Sequence, residues 1–405
     1  MKSSPVVIGV CILWLVFGSA PIVFSCPPFP ATHFFQGHPL CHMLGRDLLA
    51  GLLALAVRLI WQWDAGGKRG KLVRYFGFAL LAGLLTDLHY FMVDMDPDKF
   101  QWQTDQWVGI FQHTYLPPDQ YRFLSQGTLW WMTLTNSDFD FSYYAFRFFF
   151  TLLLCLAIYR LARLYLPTQA SVLIVFLYGA FYSLSIRFYC GNLCDPMSHL
   201  IMLTALYYCR LRQFWSFFWL FILGVFTKET MLLLAPCYYL MNLEHTRLRQ
   251  EQNWQRMILL GLAGFAAFFA CRLPFHFAFS YQCLNRTTAP MIWSNLGIGH
   301  PPVDSFVPVF LRYLHPILFI FMWLPLILIH RRRLPDSLFW TSLYLAAGLY
   351  ATNTWCGWNY ESRNFVPGLI LLLICTMVIL REWVHEDPAE APEEGAYHPP
   401  LKGQA

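Results

Sequence analysis

Lys228 and Glu229 stand side by side within the otherwise apolar stretch 214–241. Charged side chains in such surroundings cost roughly 3 kcal/mol each on insertion scales, so they face a cavity, pair with each other or mark a pathway. Two accounts fit. The pair sits at a helix break and faces water, or broken helices expose a polar site at depth, as they do where substrates bind. In the second case Lys228 suits a phosphate or pyrophosphate, because its ammonium is a compact positive charge.

Three further groups carry usable chemistry. Cys194-Asp195-Pro196 opens a predicted helix, where Asp195 can cap free N–H groups or serve a ligand. Glu361 and Arg363 lie in the loop 353–364, just before the last apolar run, and form either a surface pair or part of a substrate site. Asp94, Asp96 and Asp98 follow another apolar run directly. A carboxylate there acts as general base if it is held within hydrogen-bonding distance of an acceptor hydroxyl. The simpler account is a hydrated acidic turn around Pro97.

These residues need a membrane to position them. The chain has 405 residues, 57% hydrophobic, 18% aromatic and only 13% charged. A globular domain carries about a quarter charged residues, so several water-soluble units are excluded, and the aromatic content excludes disorder. The net charge of +5 comes from scattered basic residues with no stripe, which argues against nucleic acid. About 20 apolar residues cross a bilayer, and the expected spans are 6–24, 46–63, 74–93, 142–163, 169–187, 195–211, 256–272, 306–329, 336–352 and 365–381.

Charge placement sets the expected sidedness. With a cytoplasmic N-terminus, short inner loops collect Lys68, Arg69, Lys71 and Arg74, then Arg160 and Arg163, Arg210 and Arg212, Arg247, Arg249 and Arg256, and Arg331, Arg332 and Arg333. This parity requires 214–241 to enter and leave on one side, as two half-helices with Lys228-Glu229 near the apex. The expected fold is therefore an all-α polytopic transmembrane bundle of about 12 segments, counting the broken hairpin as two, with both termini cytoplasmic. Residues 1–73 supply two segments, the first resembling a signal peptide as well as an uncleaved helix. Residues 74–381 form the core, and 382–405 read as a disordered cytoplasmic tail. The outer loop 94–141 is rich in Trp and Tyr, which predicts short helices lying in the interface. Seven cysteines fall near the outer side, where some can pair, although simple packing accounts for them.

Taken in order, an outward helix ending in Asp94 and Asp96, the Tyr121-Arg122-Phe123-Leu124 stretch, the helix opening with Asp195, the Phe226-Thr227-Lys228-Glu229-Thr230 hairpin and Glu361-Ser362-Arg363-Asn364 resemble the polytopic GT-C type of glycosyltransferase, specifically its bacterial relatives. The similarity spans 75–381. It implies a protein of the bacterial inner membrane that moves a sugar from a polyprenyl-phosphate donor to an acceptor glycan or lipid on the outer face. It also implies an acidic catalytic residue in the Asp94/Asp96 region. The acidic pair expected there is replaced by Asp94-Met95-Asp96-Pro97-Asp98. On this reading Arg122, Lys228 and Arg363 neutralise the leaving phosphate, with Asp195, Glu229 and Glu361 beside them. A divalent metal stays open, since acidic residues near phosphate serve either route. The competing classes are a transporter or lipid flippase with a midplane site, disfavoured by the lack of an internal repeat, and a non-catalytic membrane protein that keeps the fold.

Overall fold

The computed structural model describes residues 68–90, 122–136, 139–188, 194–243, 251–273, 316–356 and 362–384, with single positions at 101, 105, 108 and 314. The described chain is all-helical, with eleven α-helices and no strand among the described residues. They are α1 (Lys68–His89), α2 (Phe123–Asn136), α3 (Phe139–Ala162), α4 (Thr168–Phe188), α5 (Cys194–Arg210), α6 (Phe214–Val225), α7 (Leu234–Leu240), α8 (Glu251–Ala270), α9 (Leu324–Ile329), α10 (Asp336–Cys356) and α11 (Val366–Val384). Segments 6–24 and 46–63 lie outside the described residues, as does the tail from 385.

Among the described residues three stretches are long and apolar enough to cross a membrane: Gly70–His89, Phe141–Ala162 and Ser362–Glu382. Thr168–Ser183, Phe214–Val225, Trp254–Ala270 and Ile317–Ile329 are shorter apolar helices. The outward-facing surface is apolar too. Trp254, Ile258, Leu262 and Phe265 recur at helical spacing along α8, and each is at least half exposed. Trp215, Trp219 and Leu223 are likewise exposed at helical spacing on α6. An apolar face of this extent signals an apolar surrounding or a partner. Inside, α11 is buried on all sides from Val366 to Thr376, which places it at the centre of the bundle.

The helices define two ends. Arg210 donates to Ser337 Oγ at 3.3 Å, and Arg333 lies 4.0 Å from Glu382, so the C-terminal ends of α5 and α11 meet the start of α10 at a basic end. At that end α5 turns into α6 within three residues. Arg212 adopts φ 59°, and the N–H groups of Arg212 and Gln213 reach back to the carbonyls of Cys209 and Tyr208. This is a Schellman closure, normally built on glycine. The opposite end collects the starts of α5 and α11, each with a proline in its first turn (Pro196, Pro367), where the missing N–H has no helical partner to lose.

The stretch 214–241 is broken and doubles back. Phe214 and Phe217 at the start of α6 each place their rings 5.4 Å from Tyr238 near the end of α7, so the two short helices run antiparallel. The expected span 306–329 is interrupted as well. A π-helical turn covers Ile317–Phe321 and α9 begins only at Leu324, because Pro325 has no N–H and its ring crowds the carbonyl four residues earlier. Within 94–141, α2 is a 14-residue helix with Trp130, Trp131 and Leu134 exposed and Ser125, Gln126 and Leu129 buried.

Candidate functional site

The break between α6 and α7 is built locally. Gly224 carbonyl receives three donors: the Thr227 N–H at 2.8 Å, the Lys228 N–H at 2.9 Å and the Thr227 hydroxyl at 2.6 Å. Thr227 thus closes the helix with its own side chain, the local competition that makes threonine a poor helix-interior residue. Lys228 then swings to an extended backbone, φ −162° and ψ 136°, and a 3-10 turn follows over Glu229–Leu233. Pro236 is tolerated in the first turn of α7. The consequence is that Lys228 and Glu229 point in different directions from adjacent positions and find different partners.

Lys228 turns inward to the start of α5. Its Nζ lies 3.1 Å from Asp195 Oδ1, while Arg363 Nε, from the 3-10 turn Ser362–Phe365 ahead of α11, approaches Asp195 Oδ2 at 3.3 Å. The Asp195 carboxylate is fully buried, and the Lys228 and Arg363 side chains are each 7% exposed. Lys228 also donates to Asn364 Oδ1 at 2.6 Å, and Asn364 Nδ2 donates to Asn353 Oδ1 at 2.8 Å. Four elements therefore meet: α5, the α6–α7 break, the end of α10 and the entry to α11.

Glu229 is held from another direction. Arg122, just before α2, donates through Nη2 to Oε1 at 2.7 Å and through Nε to Oε2 at 3.3 Å. The two-pronged geometry is the fork that guanidinium offers and ammonium lacks. Leu124 N–H to Phe226 carbonyl, 3.3 Å, docks the start of α2 on the same break.

Asp195 lies in the first turn of α5, and its side chain is committed to the two cations, each oxygen facing one of them. It holds them in place, and capping alone does not describe it. Burial of this kind is costly unless every charge is matched, so the network orders the break at the end of the bundle opposite the basic loops.

Of the residues the sequence singled out, Asp195, Lys228 and Arg363 are brought together, and Arg122 and Glu229 form a second pair beside them. Asp94, Asp96 and Glu361 lie outside the described residues. Among the described residues no group of three His, Cys, Asp or Glu side chains is arranged to hold a metal ion. Buried free thiols are found at Cys155, Cys209, Cys237, Cys271 and Cys375.

The sequence reading missed several partners. Asn353 and Asn364 were within the recognised loop but carried no charge to draw notice. His199 was legible as one turn after Asp195, the i, i+4 spacing that puts both on one helix face. Its ring is buried. Arg147 on α3, inside the expected span 142–163, donates to the Tyr182 hydroxyl on α4 at 3.1 Å, buried within the bundle. No family model matches the chain, and neither a curated protein nor a solved structure matches it.

Proposed function

We propose that the chain is an integral membrane glycosyltransferase that moves a sugar from a polyprenyl-phosphate donor to an acceptor glycan or lipid on the outer face of the membrane. The observation that carries this reading is the meeting of Lys228, Arg363 and Arg122 at a helix break, all at the end of the bundle away from the basic loops. Three cations fixed in advance by Asp195 and Glu229 suit a phosphate whose charge grows as it leaves, since preorganised donors need no reorientation at the moment of reaction. The break supplies polar backbone at depth, which a membrane tolerates where it lines a binding site.

On this reading the bundle comprises about 12 membrane segments with α6 and α7 as the re-entrant hairpin, α2 lies in the interface, and the basic loops face the cytoplasm of a bacterial inner membrane. The acceptor hydroxyl attacks the anomeric carbon, the bond from that carbon to the phosphate oxygen breaks, and polyprenyl phosphate leaves with the electron pair. The hydroxyl proton passes to a carboxylate, the role assigned to Asp94 or Asp96. Asp195 is engaged by two cations and serves as a positioning residue.

The experiment is native mass spectrometry of the detergent-purified protein with added polyprenyl phosphate and polyprenyl-phosphate hexose. A specific adduct with each, lost in Lys228→Ala, is the expected result. A preparation that carries only bulk phospholipid and takes up neither probe overturns the donor and favours the transporter or scaffold.

A further inference from the structure

The basic end of the bundle is drawn together by Arg210. Its guanidinium donates to Ser337 Oγ at 3.3 Å and lies 5.6 Å from the centre of the Tyr165 ring, so the turn after α3, the end of α5 and the start of α10 meet there. Arg160, Arg163 and Arg212 are exposed around the first two, and Arg331 and Arg332 ahead of the third. Cations in the last turn of a helix have an account of their own, because they complement its free carbonyls. It serves Arg160 on α3 and Arg210 on α5. It does not serve the 3-10 turn Arg331–Arg333, which follows the C-terminus of α9 but leads straight into the N-terminus of α10, where the preference reverses.

Carboxylates do little to neutralise that turn. Arg331 lies 3.8 Å from Asp336 and Arg333 4.0 Å from Glu382, long distances between side chains open to water, where a pair contributes little. Among the described residues no carboxylate comes within ion-pair distance of Arg332, Arg160 or Arg212. The turn also borders an apolar wall. The Arg331 guanidinium lies 5.0 Å from the ring centre of Trp340 and 5.1 Å from that of Phe339. Trp340 is 38% exposed one turn into α10, and Leu328 and Ile329 are exposed just before the arginines. Cations short of counter-charge beside exposed apolar side chains match a molecule that carries an anion at the head of hydrocarbon chains. A water-soluble anion would use only the polar half of this surface.

We infer that the Arg331–Arg333 turn, together with the exposed arginines around Arg210, binds the phosphate headgroup of an anionic phospholipid whose acyl chains lie along Trp340 and the end of α9. Guanidinium suits a phosphate through its paired N–H donors. The site lies at the end of the bundle away from Lys228 and Asp195, and it stands whether or not the chain transfers a sugar.

The test is a native mass spectrometry titration of the full chain in detergent with dioleoylphosphatidylglycerol, dioleoylphosphatidylcholine and glycerol 3-phosphate, the last an anion without chains. The expected result is phosphatidylglycerol bound about tenfold more tightly than phosphatidylcholine, with glycerol 3-phosphate not taken up at the same concentrations. Arg332→Gln removes an exposed cation that no carboxylate pairs, so its Tm is expected to match wild type while its affinity for phosphatidylglycerol falls about fivefold and that for phosphatidylcholine stays. Arg331→Gln with Arg332→Gln is expected to abolish the selectivity. Equal wild-type affinity for the two phospholipids, a loss in the variants that is the same for both, a selectivity that survives the double variant, or glycerol 3-phosphate bound as tightly as phosphatidylglycerol overturns the site.

Discussion

Arg122 and Glu229, 107 positions apart, lock the entry of α2 to the break in the 214–241 hairpin through two parallel hydrogen bonds of 2.7 and 3.3 Å. The pair is partly exposed, 12% and 21% for the two side chains, so its worth lies in geometry more than in raw charge. Arg122→Lys keeps the charge and loses the fork. We expect it to lower stability by about 2 kcal/mol, read as a drop in Tm in detergent, with little recovery in low salt. A variant with wild-type Tm shows that the fork does not anchor α2.

Asp195 faces two buried cations, so Asp195→Asn leaves Lys228 and Arg363 both unmatched, whereas Lys228→Met leaves a one-to-one pair of Asp195 and Arg363. Asp195→Asn is expected to cost about 3 kcal/mol or more, and Lys228→Met clearly less. The double variant Lys228→Met with Asp195→Asn is expected to cost less than the two single losses added together, because the Lys228–Asp195 contact is then lost once, while Arg363 is left unmatched as in Asp195→Asn alone. Strict additivity in thermal or denaturant unfolding contradicts the pairing.

Tyr178 carries an uncompensated hydroxyl in the unliganded bundle. Tyr178→Phe is therefore expected to leave Tm unchanged or raise it, by up to about 1 kcal/mol of stability. Tyr182→Phe, which removes the acceptor for Arg147, is expected to lower it. The opposite order refutes the assignment of partners.

Gly264 on α8 and Gly261 one turn earlier make a matched contrast. A Cβ at Gly264 would sit 2.5 Å from Phe221 Cζ, and that ring is buried and stacked parallel on Phe217. A Cβ at Gly261 meets nothing within 4 Å. Gly264→Ala is expected to cost about 2 kcal/mol by overpacking, whereas Gly261→Ala gains up to about 1 kcal/mol of helix propensity. Equal effects on Tm show that α8 does not pack against the hairpin there.

Arg212 holds the left-handed position that closes α5, exposed and without glycine's freedom. Arg212→Gly is expected to stabilise the turn by about 1 kcal/mol. A loss of stability implies that the arginine side chain contributes at the basic end.

The helices themselves were legible in the chain, since apolar runs between basic turns record the period and length of each segment locally. The break at Thr227-Lys228 was legible for the same reason, as a charged pair cannot continue an apolar helix face unnoticed. The interruption at Pro325 was marked by its residue type, yet the continuous span 306–329 was expected, because hydropathy does not register a missing N–H.

What the sequence determined by itself was which residue types sit at which helix ends, an outcome of local hydropathy and turn chemistry. Only the tertiary structure decided that Lys228 turns to Asp195 and Asn364 while Glu229 turns to Arg122, that Arg363 closes on the second oxygen of Asp195, and that Arg147 enters the bundle to meet Tyr182. Those pairings depend on the rotation and depth of each helix against its neighbours. Interlocking of side chains sets both, and spacing along one chain segment does not encode them.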